Sequence, residues 1–386
     1  MAESTEDFDQ IVDRRAVPGE KWSRFEGRDV IPMWVADMDF AAPEVVIDAI
    51  RARLDHRVLG YTDAWPSLDG AIVDAMDRDY GWHIEPRWLV WLPGMVSAFN
   101  VACRAIGDDG DGVFTATPIY PPFLGAPANN RRRLQQAALR QGGDLRWTWD
   151  WDATEAAVDD TTRLFMLCNP HNPVGRVFER HELERIAGIC ERRDLVICSD
   201  EIHCGLVLDE ERRHLPIAAL DESIAARTIT LMAPSKTWNI PSLYCAFAVI
   251  PDDGLRRRFR HAMRGIVPHV NLLGLVATEA AYRHGENWRR RLVDYLRGNR
   301  SLVGERLAEI PEIRTTLPEA TYLAWLDCRP FAQARGIADP AAHFEARGVG
   351  LSDGRGFGAP GFVRLNFGCP RTLLEQGLTR IRDALR

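Results

Sequence analysis

The stretch "TITLMAPSKTWNIPSLYCAFAVI" (Thr228–Ile250) decides how the chain reads. Two apolar, β-prone runs, 228–233 and 244–250, enclose a turn bounded by Pro234 and Pro241. Both runs are too short for core helices and read as buried strands. The lysine between them stands out. The 48 basic residues include only two lysines, Lys21 and Lys236. Lysine can lose its proton and attack a carbonyl, whereas a guanidinium stays protonated. Lys21 lies in a charged N-terminal segment with no strand end beside it and is expected on the surface. Lys236 is therefore the candidate reactive amine.

Outward from this stretch, the middle of the chain alternates short apolar runs with helical patterns. Residues 112–117 (GVFTAT), 163–168 (RLFMLC) and 195–201 (LVICSDE) read as strands, and 181–194 as an amphipathic helix. Strands alternating with helices predict a largely parallel α/β sheet. Residues 43–56 and 66–81 each begin with proline at a plausible first helical position. A long helical stretch, 285–309, is followed by strand-like runs at 322–327 and 362–368 and a last helix from about Pro370. The expected organisation is a segment 1–45 joining the small domain, a large domain 46–284 and a smaller α+β domain 285–386.

Composition excludes several classes. The chain has 386 residues, 46% hydrophobic, with a net charge of −7. That charge argues against a general nucleic-acid binder, and the triplets Arg131–Arg133 and Arg256–Arg258 read as solvated surface. No apolar run approaches the roughly 20 residues needed to span a bilayer. The acidic N-terminus has no signal-peptide pattern, so a soluble cytoplasmic protein is expected. The eight cysteines include no C-x-x-C; Cys168, Cys198 and Cys245 read as core residues. No metal site is expected.

Ligands of open α/β sheets bind outside the carboxyl ends of the strands. Five strand ends carry polar or aromatic groups at turns: Gly94 and Met95 after 88–92, Tyr120 after 112–117, Asn172 after 163–168, Asp200 and His203 after 195–199, and Ser235 and Lys236 after 228–233. Each has a structural reading: a tight turn for Gly94, packing for Tyr120, a cap for Asn172, an ion pair for Asp200. Jointly they suit a planar, phosphorylated, electron-withdrawing cofactor held by a lysine. A helix start after Gly94 offers free N–H groups to a phosphate, to which Ser235 can add a hydroxyl. Tyr120 can stack on a ring. Asp200 can keep a pyridine nitrogen protonated. Asn172 can donate to a phenolate.

"NPHNPVGR" (169–176), "SDEIH" (199–203) and "SKTWNIP" (235–241) together resemble the fold-type I pyridoxal 5′-phosphate enzymes, the aspartate aminotransferase superfamily. Residues 21–44, 117–127 and 265–274 resemble its cystathionine β-lyase, or C–S lyase, group. The resemblance runs from about Phe8 to the C-terminus. It implies that Lys236 holds the cofactor, Asp200 pairs with its pyridine nitrogen and Asn172 contacts its phenolic oxygen. It further implies that Tyr120 stacks on the ring and that Gly94, Met95 and Ser235 surround the phosphate. His203 stands where aminotransferases carry a tyrosine, as in this subgroup. Tyr61 matches a tyrosine that reaches the neighbouring subunit's phosphate, which implies a homodimer with active sites at the subunit interface. Arg364 matches the arginine that clamps a substrate α-carboxylate; a buried ion pair with an Asp or Glu is its structural alternative. Trp34, Ala36 and Tyr244 are expected to line the substrate side.

The implied reaction is β-elimination from a cysteine S-conjugate, giving thiol, pyruvate and ammonia. Transamination starts from the same loss of a Cα proton. A tailoring enzyme like those of lincosamide pathways, acting by C–S cleavage or oxygen-dependent decarboxylation, and a cofactor-binding regulator are the other readings. One departure bears on the choice: Ser242 and Tyr244 replace the glycines usual after the lysine. Either this is drift in a turn or it reshapes the pocket, with Ser242 losing the freedom to adopt a positive φ.

Overall fold

The computed structural model describes residues 7–386; the first six residues of the acidic N-terminus lie outside them. Seven strands form the central sheet: β1 Leu89–Leu92, β2 Gly112–Thr117, β3 Arg133–Ala138, β4 Thr162–Cys168, β5 Val196–Asp200, β6 Thr228–Met232 and β7 Ala246–Val249, in the order β1-β7-β6-β5-β4-β2-β3. β2 to β6 and the edge strand β3 run parallel, while β7 is antiparallel to both of its neighbours. The connection explains the exception. A parallel crossover needs a dozen or more residues, usually with a helix. The link from β6 to β7, residues 233–245, is long enough for a crossover but holds no α-helix; it is the loop that carries Lys236, and it turns the chain back beside β6.

The central strands are buried on both faces, as covered parallel strands must be. Leu164 and Met166 of β4 join one apolar cluster with the helix α1 Met95–Ala105. Phe165 and Leu167 join another with the helix α2 Arg180–Arg192. Helices on both faces leave the carboxyl ends of the strands open.

C-terminal to this lies a three-stranded antiparallel sheet, β8 Leu323–Asp327, β9 Ser352–Asp353 and β10 Phe362–Asn366, in the order β8-β10-β9. The helix α3 Glu286–Ala308 packs with α4 Arg371–Asp383. Ile31–Pro32 pairs in parallel with Val349–Gly350, which ties the N-terminal segment to the C-terminal part.

Several expectations need correction. Arg133 opens an edge strand that the arginine-rich run conceals. Two arginines read as solvated are engaged with backbone instead. Arg132 donates to the carbonyls of Ile106 and Gly107, and buried Arg256 to those of Ile250 and Pro251. Pro66 does open its helix, but Pro43 lies one residue before Glu44–Asp55. No helix among the described residues is long and apolar enough to cross a membrane.

The largest correction is Lys21. It is 1% exposed. Its ammonium donates to the Asp37 carbonyl at 2.9 Å and to Asp39 Oδ2 at 2.7 Å. Asp39 also accepts from Arg14 and from Trp22. A helical turn (Glu20–Ser23) folds the charged segment back, so that charge in the sequence becomes a buried ion pair. Lys21→Met leaves Asp37 and Asp39 to share one cation, Arg14, and is expected to cost about 3 kcal/mol. A lowered denaturant midpoint at unchanged slope would show this; a midpoint within error of the parent would contradict it.

Candidate active site

Five strand ends converge on one cavity of about 440 Å³. Its lining includes Gly94 and Met95 after β1, Tyr120 after β2, Asn172 after β4, Asp200 and His203 at and after β5, and Ser235 and Lys236 after β6. Arg364 enters from β10 and Ala36 from a bend in the N-terminal segment. Tyr244 covers one side.

Lys236 donates to the Ala36 carbonyl at 2.6 Å and has no carboxylate partner among the described residues. Burial, then the nearby positive charge of Arg364, lowers its pKa to about 8. Asp200 is 4% exposed. It accepts one hydrogen bond, from the Ile202 amide at 3.1 Å. Burial raises its pKa to about 7. His203, likewise buried, is held neutral by burial and by the charges of Lys236 and Arg364, with its pKa lowered to about 3. Its Nδ1 has no partner.

The contacts of Arg364 do not include the ion pair that is its structural alternative. Among the described residues it has no carboxylate partner. Its guanidinium donates to Asn172 Oδ1 at 3.0 Å, to the Trp34 carbonyl at 2.9 Å and to Ser352 Oγ at 3.3 Å, and lies over the Phe357 ring. Its Nε is buried and unpartnered. Burial lowers its pKa to about 10. A buried cation with a free donor and no counter-ion has the chemistry to receive an anion.

Gly94 has a φ of +93° and starts α1 with no side-chain cap, so the first-turn amides stay free for an anion. Burial raises the pKa of Tyr120. The donor set fits pyridoxal phosphate: a reactive amine, a carboxyl for a ring nitrogen, an aromatic side chain and a free helix start, with orphaned polar atoms at His203 and Arg364.

Two expected readings, for Trp34 and Ser242, are placed differently, while Tyr61 lies away from its own chain's site. Tyr61 is fully exposed and outside the cavity of its own chain. Trp34 contributes its carbonyl to Arg364, while its ring lies under Arg24 and its Nε1 donates to the Lys21 carbonyl. Ser242 needs no positive φ; Tyr244 takes the left-handed conformation at φ +43°. A Cβ built on Gly94 would lie 3.7 Å from the Tyr244 ring, so the tyrosine borders the helix start. Sequence reading missed Asn239, three residues after Lys236, which binds Met38 on both its N–H and C=O. It also missed Tyr322, whose hydroxyl shares the Ala36 carbonyl with Lys236, and Arg14, Glu20 and Asp37 at the mouth. Only the spacing of Asn239 from Lys236 was a signal.

Comparison with known proteins agrees with this geometry. The family model for class I and II aminotransferases matches residues 28–381. The cystathionine β-lyase PatB of Bacillus subtilis is 35% identical over 390 residues, covering 98% of this chain and 99% of that one. The crystal structure of OvoB superposes with a TM-score of 0.94 at 44% identity, over 98% of this chain and 99% of that one. The pyridoxal-phosphate-bound C–S lyase of Staphylococcus hominis gives 0.92 at 33% identity, over 98% of each chain.

Two expectations follow from the geometry. Because the pKa of Asp200 rises from 3.8 to about 7, its burial is no penalty below its unfolded value. The penalty grows as pH climbs from there through 7 and is complete above. Asp200→Asn should therefore stabilise the cofactor-free protein on the order of 3 kcal/mol at about pH 8, and hardly at about pH 4. Equal Tm shifts at both pH values would exclude this. Tyr244→Gly should relieve about 1 kcal/mol of left-handed strain and alter substrate preference more than cofactor retention. An unchanged kcat/KM across a panel of substrates would count against the second part.

Proposed function

Since the chain belongs to the class I and II aminotransferase family, and within it to the cystathionine β-lyase and C–S lyase group, we propose that it cleaves S-substituted cysteines with pyridoxal phosphate as cofactor. The S-conjugate and water give thiol, pyruvate and ammonium. One observation carries the reading: a half-buried lysine of lowered pKa shares one cavity with Asp200 and with an arginine that has no counter-ion.

Each residue then has a task. Lys236 holds the cofactor and, once released, takes the substrate Cα proton; a pKa of about 8 leaves a usable fraction as free amine near neutrality. Bound pyridoxal phosphate supplies the electron sink that makes this proton acidic. Asp200 would pair with the pyridine nitrogen and keep it protonated, and a buried carboxylate gains most from such a partner. Asn172, whose Oδ1 already accepts from Arg364, would offer its amide N–H to the phenolic oxygen, and His203 lines the same cavity. Tyr120 stacks on the ring. Gly94, Met95 and Ser235 hold the phosphate. Arg364 binds the α-carboxylate and so orients Cα towards Lys236.

A homodimer belongs to the same reading. Val58, Leu59 and Tyr61 form an exposed apolar run, and a second copy would bring Tyr61 to a phosphate it does not reach in its own chain. The division at 1–45, 46–284 and 285–386 is supported by the pairing of Ile31 with Val349 and by the separate three-stranded sheet. A cytoplasmic location is proposed with it.

Purified protein loaded with pyridoxal phosphate should release thiol and pyruvate from S-substituted cysteines in equal amounts. Amino exchange that depends on an added keto acid, with no thiol, would sink the proposal and point to transamination. Arg364→Lys keeps a charge but loses the planar fork. It should lower kcat/KM by about 30- to 100-fold, mainly through KM.

A further inference from the structure

The outer wall of the cavity is built by the N-terminal segment, through Arg14, Glu20, Lys21 and Asp37. Its charges do not cancel. Arg14 pairs with Asp37 Oδ2 at 2.6 Å and with Asp39 Oδ1 at 2.7 Å, and Lys21 pairs with Asp39 Oδ2 at 2.7 Å. Two cations thus face two carboxylates, and Glu20 is left over. Among the described residues it has neither an ion-pair partner nor a hydrogen bond. Arg24, one helical turn on, is engaged elsewhere: it lies 4.7 Å over the Trp34 ring and 3.6 Å from Glu345. Asp37 Oδ1 is buried and also lacks a partner.

These charges reach inward. Both Glu20 and Asp37 act on Lys236, and Glu20 also acts on Tyr120, against the larger effect of burial in the case of Lys236. At the inner end Arg364 presents a cation without a counter-ion. The cavity is therefore dipolar, positive inside and negative at its mouth. Glu20 opens the helical turn Glu20–Ser23, where a negative charge suits the helix dipole, but that preference does not require its carboxylate to line the cavity without a partner.

We propose that the group on the substrate's sulfur carries a positive charge, as an ammonium or another protonated nitrogen base, and that Glu20 recognises it together with the free oxygen of Asp37. Arg364 meanwhile holds the α-carboxylate. The substrate class is thus an S-conjugate whose leaving thiol is cationic. When the Cβ–S bond breaks, its electron pair stays on sulfur, and a cation in the same leaving group stabilises the thiolate. The inference rests on the C–S lyase reading and goes beyond it in naming the substrate's distal charge.

Three conjugates of similar length separate the possibilities: S-(2-aminoethyl)-, S-(2-hydroxyethyl)- and S-(carboxymethyl)-cysteine. The readout is kcat/KM for thiol and pyruvate release by the cofactor-loaded protein. The parent should prefer the aminoethyl over the carboxymethyl conjugate by roughly tenfold, and Glu20→Gln should shrink that ratio about fivefold. Glu20→Lys, at an exposed site that tolerates either charge, should invert it. A parent ratio of one or less, or a ratio that Glu20→Gln leaves unchanged, overturns the proposal. Release of no thiol from any conjugate would overturn the C–S lyase reading itself, and this inference with it.

Discussion

An irregular segment, Met33–Phe40, bends twice and has no sheet neighbour for most of its length, so its backbone carbonyls must find partners among side chains. They do, one after another. Trp34 accepts from Arg364 and Ser352, Val35 from Asn366, Ala36 from Lys236 and Tyr322, Asp37 from Lys21 and Asn366, and Met38 from Asn239 and Arg14. The same side chains that satisfy the segment build the site. Arg364 and Lys236 are aimed by carbonyls of residues 34 and 36, which fixes the distance between the group that would hold a carboxylate and the group that would move a proton. At about 1 kcal/mol net for each neutral bond, and more for the charged ones, the segment is held far more firmly than an irregular stretch alone would be.

This arrangement explains the electrostatics. Lys236, Asp200 and Arg364 are removed from water without mutual pairing. Burial pushes the lysine and the arginine down and the carboxyl up, so that Lys236 at about 8 and Asp200 at about 7 lie within reach of neutrality. Perturbation of this kind costs stability and is retained where chemistry needs it. The left-handed Tyr244 beside Gly94 is a second such cost at the same cavity. Both costs sit at the carboxyl ends of parallel strands, where the layered fold leaves backbone and side chains free of packing duties.

What the sequence disclosed followed from periodicity and punctuation. The runs expected at 112–117, 163–168 and 228–233 form the strands Gly112–Thr117, Thr162–Cys168 and Thr228–Met232, because double burial leaves no alternative pattern. The five strand ends were legible because polar groups follow apolar runs there. Longer-range facts were not. The edge strand Arg133–Ala138 has exposed alternate positions and an arginine-rich start, so it carries little apolar signal. Arg364 could equally have met a carboxylate, and only the three-dimensional contacts show that it does not. Glu20 is one acidic residue among 55 Asp and Glu until the pairing of its neighbours leaves it alone at the cavity mouth.

The two lysines show why rarity is an incomplete guide. In a chain otherwise built on arginine, each must answer a requirement that a guanidinium fails, yet the requirements differ. Lys236 must be able to lose a proton, which guanidinium does not do. Lys21 must fit a compact, dry hole where one carbonyl and one carboxylate oxygen are the acceptors. A planar group with five donors would leave several of them unsatisfied there. Chemistry on the strand end identified the first lysine. Shape dictates the second, and shape appears only when residues 21, 37 and 39 are brought together. Their ammonium groups then bind carbonyls of adjacent residues, Ala36 and Asp37. The structural lysine thus positions the very segment against which the reactive one is held.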